Sequence, residues 1–142
     1  MKLIIGIDPD SKAHGVAVYD DKELIDLRNM TLMQIIDYTT WCGDITIHIE
    51  DVNAMSAVFA QRTKARGNAS VHMKMANSVG KSQQSQIELE RFFEHKGIKV
   101  VKHKISKMWK KDRKQFEIVT GWTKQSNEDT RSAAYFGYLG CR

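Results

Sequence analysis

Residues 1–19, MKLIIGIDPDSKAHGVAVY, decide how the rest of the chain is read. Leu3, Ile4, Ile5 and Ile7 form a short apolar run broken only by Gly6, and such a run reads as a buried central strand. It ends on Asp8, followed by Pro9, the only proline in the chain. A polar turn (Asp10, Ser11, Lys12) leads to a second strand-like run over residues 15–19. A carboxylate at the end of an interior strand points into a cleft, and Asp10, two positions on, falls on the same side. The plainer reading is a turn, because Asp before Pro is a turn former. It gives way only if further acids converge on the same place.

Further along, residues 23–28 complete a hairpin through a turn at Asp20, Asp21 and Lys22. Residues 31–41 carry Leu32, Ile35, Ile36 and Tyr38 at helical spacing, with Thr31 as N-cap. Gly43 and Asp44 stop that helix. The run ITIHIE at 45–50 alternates, with three isoleucines on one face and Thr46, His48 and Glu50 on the other. Glu50 and Asp51 then end this strand as Asp8 ends the first. Residues 53–76 have no clear period and read as an arm or loop, with basic residues between 62 and 70. A long helix is expected over 73–96, small residues in its first half, core residues in its second, and Gly97 as its stop. A short strand over 98–101, a turn near 105–109, a helix over 112–120 and a last helix over 127–139 complete the chain. The order of elements is that of an α/β domain with a mixed sheet.

Composition bounds the function. The chain has 142 residues, 42% of them hydrophobic and 27% charged, enough for one domain with a real core. No apolar stretch reaches membrane-spanning length, the N-terminus has no signal-peptide pattern, and two distant cysteines match no metal or disulfide spacing, so a cytoplasmic setting is expected. The net charge is +5, which favours a polyanionic partner, nucleic acid before membrane. The charges are also segregated. Between positions 52 and 87 there is no Asp or Glu, while Arg62, Lys64, Arg66, Lys74 and Lys81 are present. Eight Lys or Arg and one acid, Asp112, occupy 99–114. This suits an acidic spot within a basic surface; two solvated faces are the alternative.

A third acid candidate lies at the start of the last helix, in Ser126-Asn127-Glu128-Asp129. Taken alone, acids there are better explained by capping of Ser126 with Asp129 and by the helix dipole. Taken with Asp8 and Glu50, however, the three acids bring negative charge to one place, and a hard divalent cation relieves that repulsion.

On these residues the chain resembles the RuvC-type Holliday-junction resolvases of the ribonuclease H-like superfamily, and among them the phage-encoded forms. IIGIDPDSKAHGVAVYD resembles the first hairpin, HIEDVNA the second acidic strand end, and SVGKSQQSQIELERFFEHKGIKVV the central helix and following strand. KMWKKDRKQFEIVTGW resembles the Lys-rich segment, and EDTRSAAYFGYL the closing helix. The resemblance implies a single ribonuclease H-like nuclease domain over residues 1–142, with a mixed five-stranded sheet flanked by helices. It implies a homodimer that hydrolyses phosphodiesters in pairs at four-way DNA junctions in recombination or repair. Asp8, Glu50 and Asp129 take the metal-ligand and catalytic roles, for Mg²⁺ (Mn²⁺ as an alternative), two ions per site. Lys107 is placed beside the transition-state charge. Arg62, Lys64, Arg66, Lys74, Lys81, Lys104, Lys107, Lys110, Lys111, Arg113 and Lys114 are the DNA-contacting set. Two positions depart from the family pattern: Asp10 stands where Gly is usual, and Ser132 where a second Asp is frequent, leaving Glu128 as the candidate to supply that charge. Competing readings are a related nuclease for flapped, branched or RNA-containing substrates, and a junction-binding module without catalysis.

Overall fold

The computed structural model describes residues 2–53, 69–104 and 108–142. In chain order the elements are β1 (Lys2–Asp8), β2 (His14–Asp20), β3 (Glu23–Met30), α1 (Leu32–Thr40) and β4 (Asp44–Glu50). They continue with α2 (Ala69–His95), β5 (Lys99–His103), α3 (Arg113–Thr120) and α4 (Glu128–Cys141). The strands form one mixed sheet in the order β3-β2-β1-β4-β5. β1, β2 and β3 pair antiparallel, and β4 and β5 join parallel to β1 and to each other. The two-residue turn Asp21-Lys22 has both φ values positive, 47° and 70°, which matches the twist of the hairpin strands.

Alternation along the strands builds two cores. One face carries Leu3, Ile5, Ile7, Val16, Val18, Ile45, Ile47 and Ile49 against Ile35 of α1 and Leu89 and Phe93 of α2. The other carries Ala17 and Tyr19 against Ala133 and Ala134 of α4, with Trp109 and Phe116. Trp109 is therefore a core residue, 4% exposed and in ring contact with Phe116, Tyr135 and Tyr138.

The helix ends show which sequence signals carried weight. Thr31 caps α1 with the reciprocal Gln34 contact, and Gly121 ends α3 in the left-handed conformation. α2 begins at Ala69, four residues before the expected start, because no helix breaker lies between Asn68 and Met73. β5 runs on to His103, since its parallel pairing with β4 continues through Glu50. The last helix is capped by Asn127, not Ser126, and its reciprocal partner is Thr130. Asp129 is thus relieved of any capping duty. Among the described residues no helix is long and apolar enough to cross a membrane.

Candidate nuclease site at the strand ends

Asp8 and Glu50 reach the same level because their strands run parallel. Ile7 pairs with Ile49, so the next residue of each strand stands beside the other, with backbones about 4.8 Å apart. Ile7 and Ile49 face the α1 and α2 side; alternation therefore sends Asp8 and Glu50 to the α4 side. Both are buried, at 4% and 5% exposure. Carboxylates at that depth need compensation by hydrogen bonds or cations.

The third acid arrives through a glycine. Gly15 pairs with Asp8 across the β1–β2 ladder. A Cβ on Gly15 would collide with the Asp129 carbonyl and crowd the Thr130 nitrogen at 3.1 Å. Only hydrogen at that position lets the first turn of α4 sit directly on the sheet. The seating repeats down the helix: Gly6 lies under Ala133 and Gly137, and Gly140 lies under the His48 ring. Small residues at 133, 137 and 140 form one helical face, so α4 is held close over its whole length. The Tyr19 hydroxyl, donating to the Ala134 carbonyl at 2.6 Å, fixes it further.

All the donors in this set are hard oxygens, which suit Mg²⁺ or Mn²⁺ and not a soft metal. Among the described residues, however, no three His, Cys, Asp or Glu side chains are grouped so as to hold a metal ion. The elements bring the acids to one level at the strand ends. Glu128 lies exposed in the same first helical turn. Ser132, three residues beyond Asp129, is fully buried, and its Oγ has no hydrogen-bond partner among the described residues. Asp10 serves its own turn: its Oδ1 accepts from the Ser11 nitrogen at 2.6 Å, and its backbone N–H donates to His14 Nδ1 at 3.1 Å. Burial lowers the His14 pKa, opposed by the Asp10 charge.

Beside Glu50 stands a histidine pair that the sequence reading did not anticipate as a pair. His103 lies opposite Glu50 in the β4–β5 ladder. Its ring stacks on His48 at 5.1 Å and on Phe136 of α4 at 5.8 Å. His48 Nδ1 and His103 Nε2 are 2.9 Å apart, so one ring donates and the other accepts. Burial first, then the neighbouring His103 and Lys99, pushes the His48 pKa down to about 4. His103 is lowered by burial. Burial thus disfavours the charged form of both rings.

The basic residues are placed unevenly. Lys74, Lys81, Lys104, Lys111 and Lys114 are exposed and Lys110 is half-buried. Lys81 and Lys12 line one depression with Ser11 and Ser85, so the α2 cation stands near the turn that follows Asp8. Arg113 is held by Glu117 at 3.1 Å. Arg62, Lys64, Arg66 and Lys107 lie outside the described residues.

Arg131 carried no sequence signal, since an Arg on a helix is by default a surface residue. It is 9% exposed. Its guanidinium donates to the carbonyls of Trp109 and Lys110, at 3.2 and 2.9 Å, and to Ser126 Oγ at 3.1 Å. It thereby pins the Lys-rich segment beside the helix turn that carries Asp129.

No protein-family model matches the chain, and no curated protein matches it. Among solved structures, RuvC of T. thermophilus in complex with a Holliday junction substrate aligns over 97% of this chain and 91% of its own. The TM-score is 0.57 and the sequence identity 9%. At that identity the likeness is one of fold: the mixed five-stranded sheet and its helices have a RuvC-like, ribonuclease H-like architecture.

Proposed function

We propose that this chain is a divalent-metal-dependent endonuclease that resolves four-way DNA junctions, as the sequence resemblance to phage-encoded RuvC-type resolvases implies. The observation that carries the reading is the meeting of three acid-bearing elements. Asp8 and Glu50 end adjacent parallel strands on one face, and the Asp129 backbone is seated on Gly15 directly across from Asp8. The RuvC structure with its junction adds support at the level of fold.

In this reading Asp8, Glu50 and Asp129, with Glu128 at the rim, would hold Mg²⁺ or Mn²⁺. Bound there, such a metal would supply activation of a water and stabilisation of the leaving oxygen. Lys107 sits by the developing charge. Lys74, Lys81, Lys104, Lys110, Lys111, Arg113 and Lys114 grip phosphates, and Arg62, Lys64 and Arg66 follow a second arm; such contacts position DNA without reading its sequence. Two copies related by a two-fold axis would nick opposed strands symmetrically.

A synthetic four-way junction is expected to yield nicked duplexes with Mg²⁺ and none with EDTA. Asp8→Asn should bind the junction within about threefold of wild type yet lose at least a hundredfold in cleavage, as removal of a ligand for the catalytic ion does. Normal cleavage by that variant refutes the site. Flap, duplex and RNA–DNA hybrid substrates assayed alongside separate the related nuclease reading. The alternative is a junction-binding module without catalysis; salt-sensitive binding with no turnover in either metal would establish it.

A further inference from the structure

Gln86 of α2 is a polar residue in an apolar stripe. Leu89 and Phe93 share its helix face and are fully buried, and Gln86 itself is 1% exposed. Its amide is fully engaged. Oε1 accepts from Asn53 N at 3.2 Å and Asn53 Nδ2 at 3.0 Å. Nε2 donates to Asp51 Oδ1 at 3.1 Å and to Glu90 Oε2 at 3.3 Å. The amide cannot be turned over, because carboxylates accept and backbone N–H groups donate. Glu90 passes the connection to Lys102 of β5 at 3.2 Å. Asp51 N–H closes it by donating to the His103 carbonyl at 2.8 Å.

One side chain therefore ties α2, the exit of β4 and the end of β5. Asp51 directly follows Glu50, and alternation puts its side chain on the opposite face of the sheet. The network grips the backbone from the face opposite the Glu50 side chain. An apolar residue here would take these hydrogen bonds from the buried Asp51 and from Asn53, so the glutamine answers the polar groups that leave β4.

We infer that Gln86 is a positioning residue for the strand-end site: it sets where β4 stops, and so keeps Glu50 level with Asp8. The inference rests on reading Asp8 and Glu50 as the site. Two variants test it. Gln86→Leu removes all four contacts at similar volume. Gln86→Glu keeps the acceptor for Asn53 but turns like charge on Asp51 and Glu90. Amide hydrogen exchange gives a readout independent of activity: exchange at Asp51 and Asn53 should quicken about tenfold or more, while Ile5 and Ile47 stay protected. Cleavage should fall about 10-fold or more and need more Mg²⁺ for half-saturation, with junction affinity within about twofold of wild type. Adding Asp51→Asn to Gln86→Glu restores a donor–acceptor pair and should recover both readouts in part. Wild-type exchange at Asp51 and Asn53 in a folded variant overturns the inference, as does a cleavage loss that merely follows the folded fraction. A wild-type protein that never cuts refutes the nuclease reading instead, and leaves the exchange result to decide on Gln86.

Discussion

At Gly15 a single hydrogen decides whether the first turn of α4 can lie on the sheet. The backbone there has no unusual dihedral; the requirement is space, because Asp129 and Thr130 occupy the volume a methyl group would take. Gly15→Ala should therefore destabilise the fold by about 1–3 kcal/mol, the range for forcing extra volume into a packed interior. It should also lower cleavage beyond what the lost stability explains, since Asp129 is pushed off the level of Asp8. Gly80 is the control: among the described residues nothing lies within 4 Å of its would-be Cβ, and Gly80→Ala in a helix should be neutral or stabilising by up to about 1 kcal/mol. Denaturant midpoints for the two variants, with junction cleavage at matched folded fraction, check both. Equal behaviour of the two would remove Gly15 from the account.

At the scale of the element, α4 serves two neighbours at once. Its small face sits on β1, β2 and β4, and Arg131 holds the segment at 109–110. A buried guanidinium answered by two carbonyls and a hydroxyl is a geometric fork that lysine cannot reproduce. Arg131→Lys keeps the charge but breaks the fork. Its junction affinity should fall, and the slope of log K against log salt should flatten by about 1–2 units as Lys110 and Lys111 lose their placement. Titrations at several salt concentrations measure this; an unchanged slope in a folded variant means Arg131 only supports the core. The element also explains a misreading. The pattern Ser126 to Asp129 looks like a cap, yet Asn127 and Thr130 form it, one register along. Both patterns satisfy the same local chemistry, and only the packed position of the helix chooses between them.

For the whole molecule, the charge distribution carries the expected partner. Exposed lysines are described on α2, after β5 and around α3, while the buried acids stay at the strand ends. Replacing Lys110 and Lys111 together by Gln should weaken binding nearly equally for junctions of different arm sequence, because phosphate contacts carry no base information. The salt slope should drop by about 2 units. A loss confined to one sequence would indicate base reading instead.

The strands that carry Asp8 and Glu50, the Thr31 cap and the Gly97 and Gly121 stops were legible in order along the chain, because alternation, capping and glycine punctuation are local properties. The elements of an α/β domain with a mixed sheet were legible for the same reason. The end of β5 at His103 was not, since a ladder partner sets it. Nor were the duties of Gly15, Gln86 and Arg131 legible, each being decided by a partner tens of residues or more away: Asp129 for Gly15, Asp51 and Asn53 for Gln86, Trp109 and Lys110 for Arg131. Sequence by itself determined where the acids fall along the chain and which elements they bound. The tertiary structure alone decided which of those ends meet, because helix-on-sheet contact depends on the space left by side chains that no local pattern records.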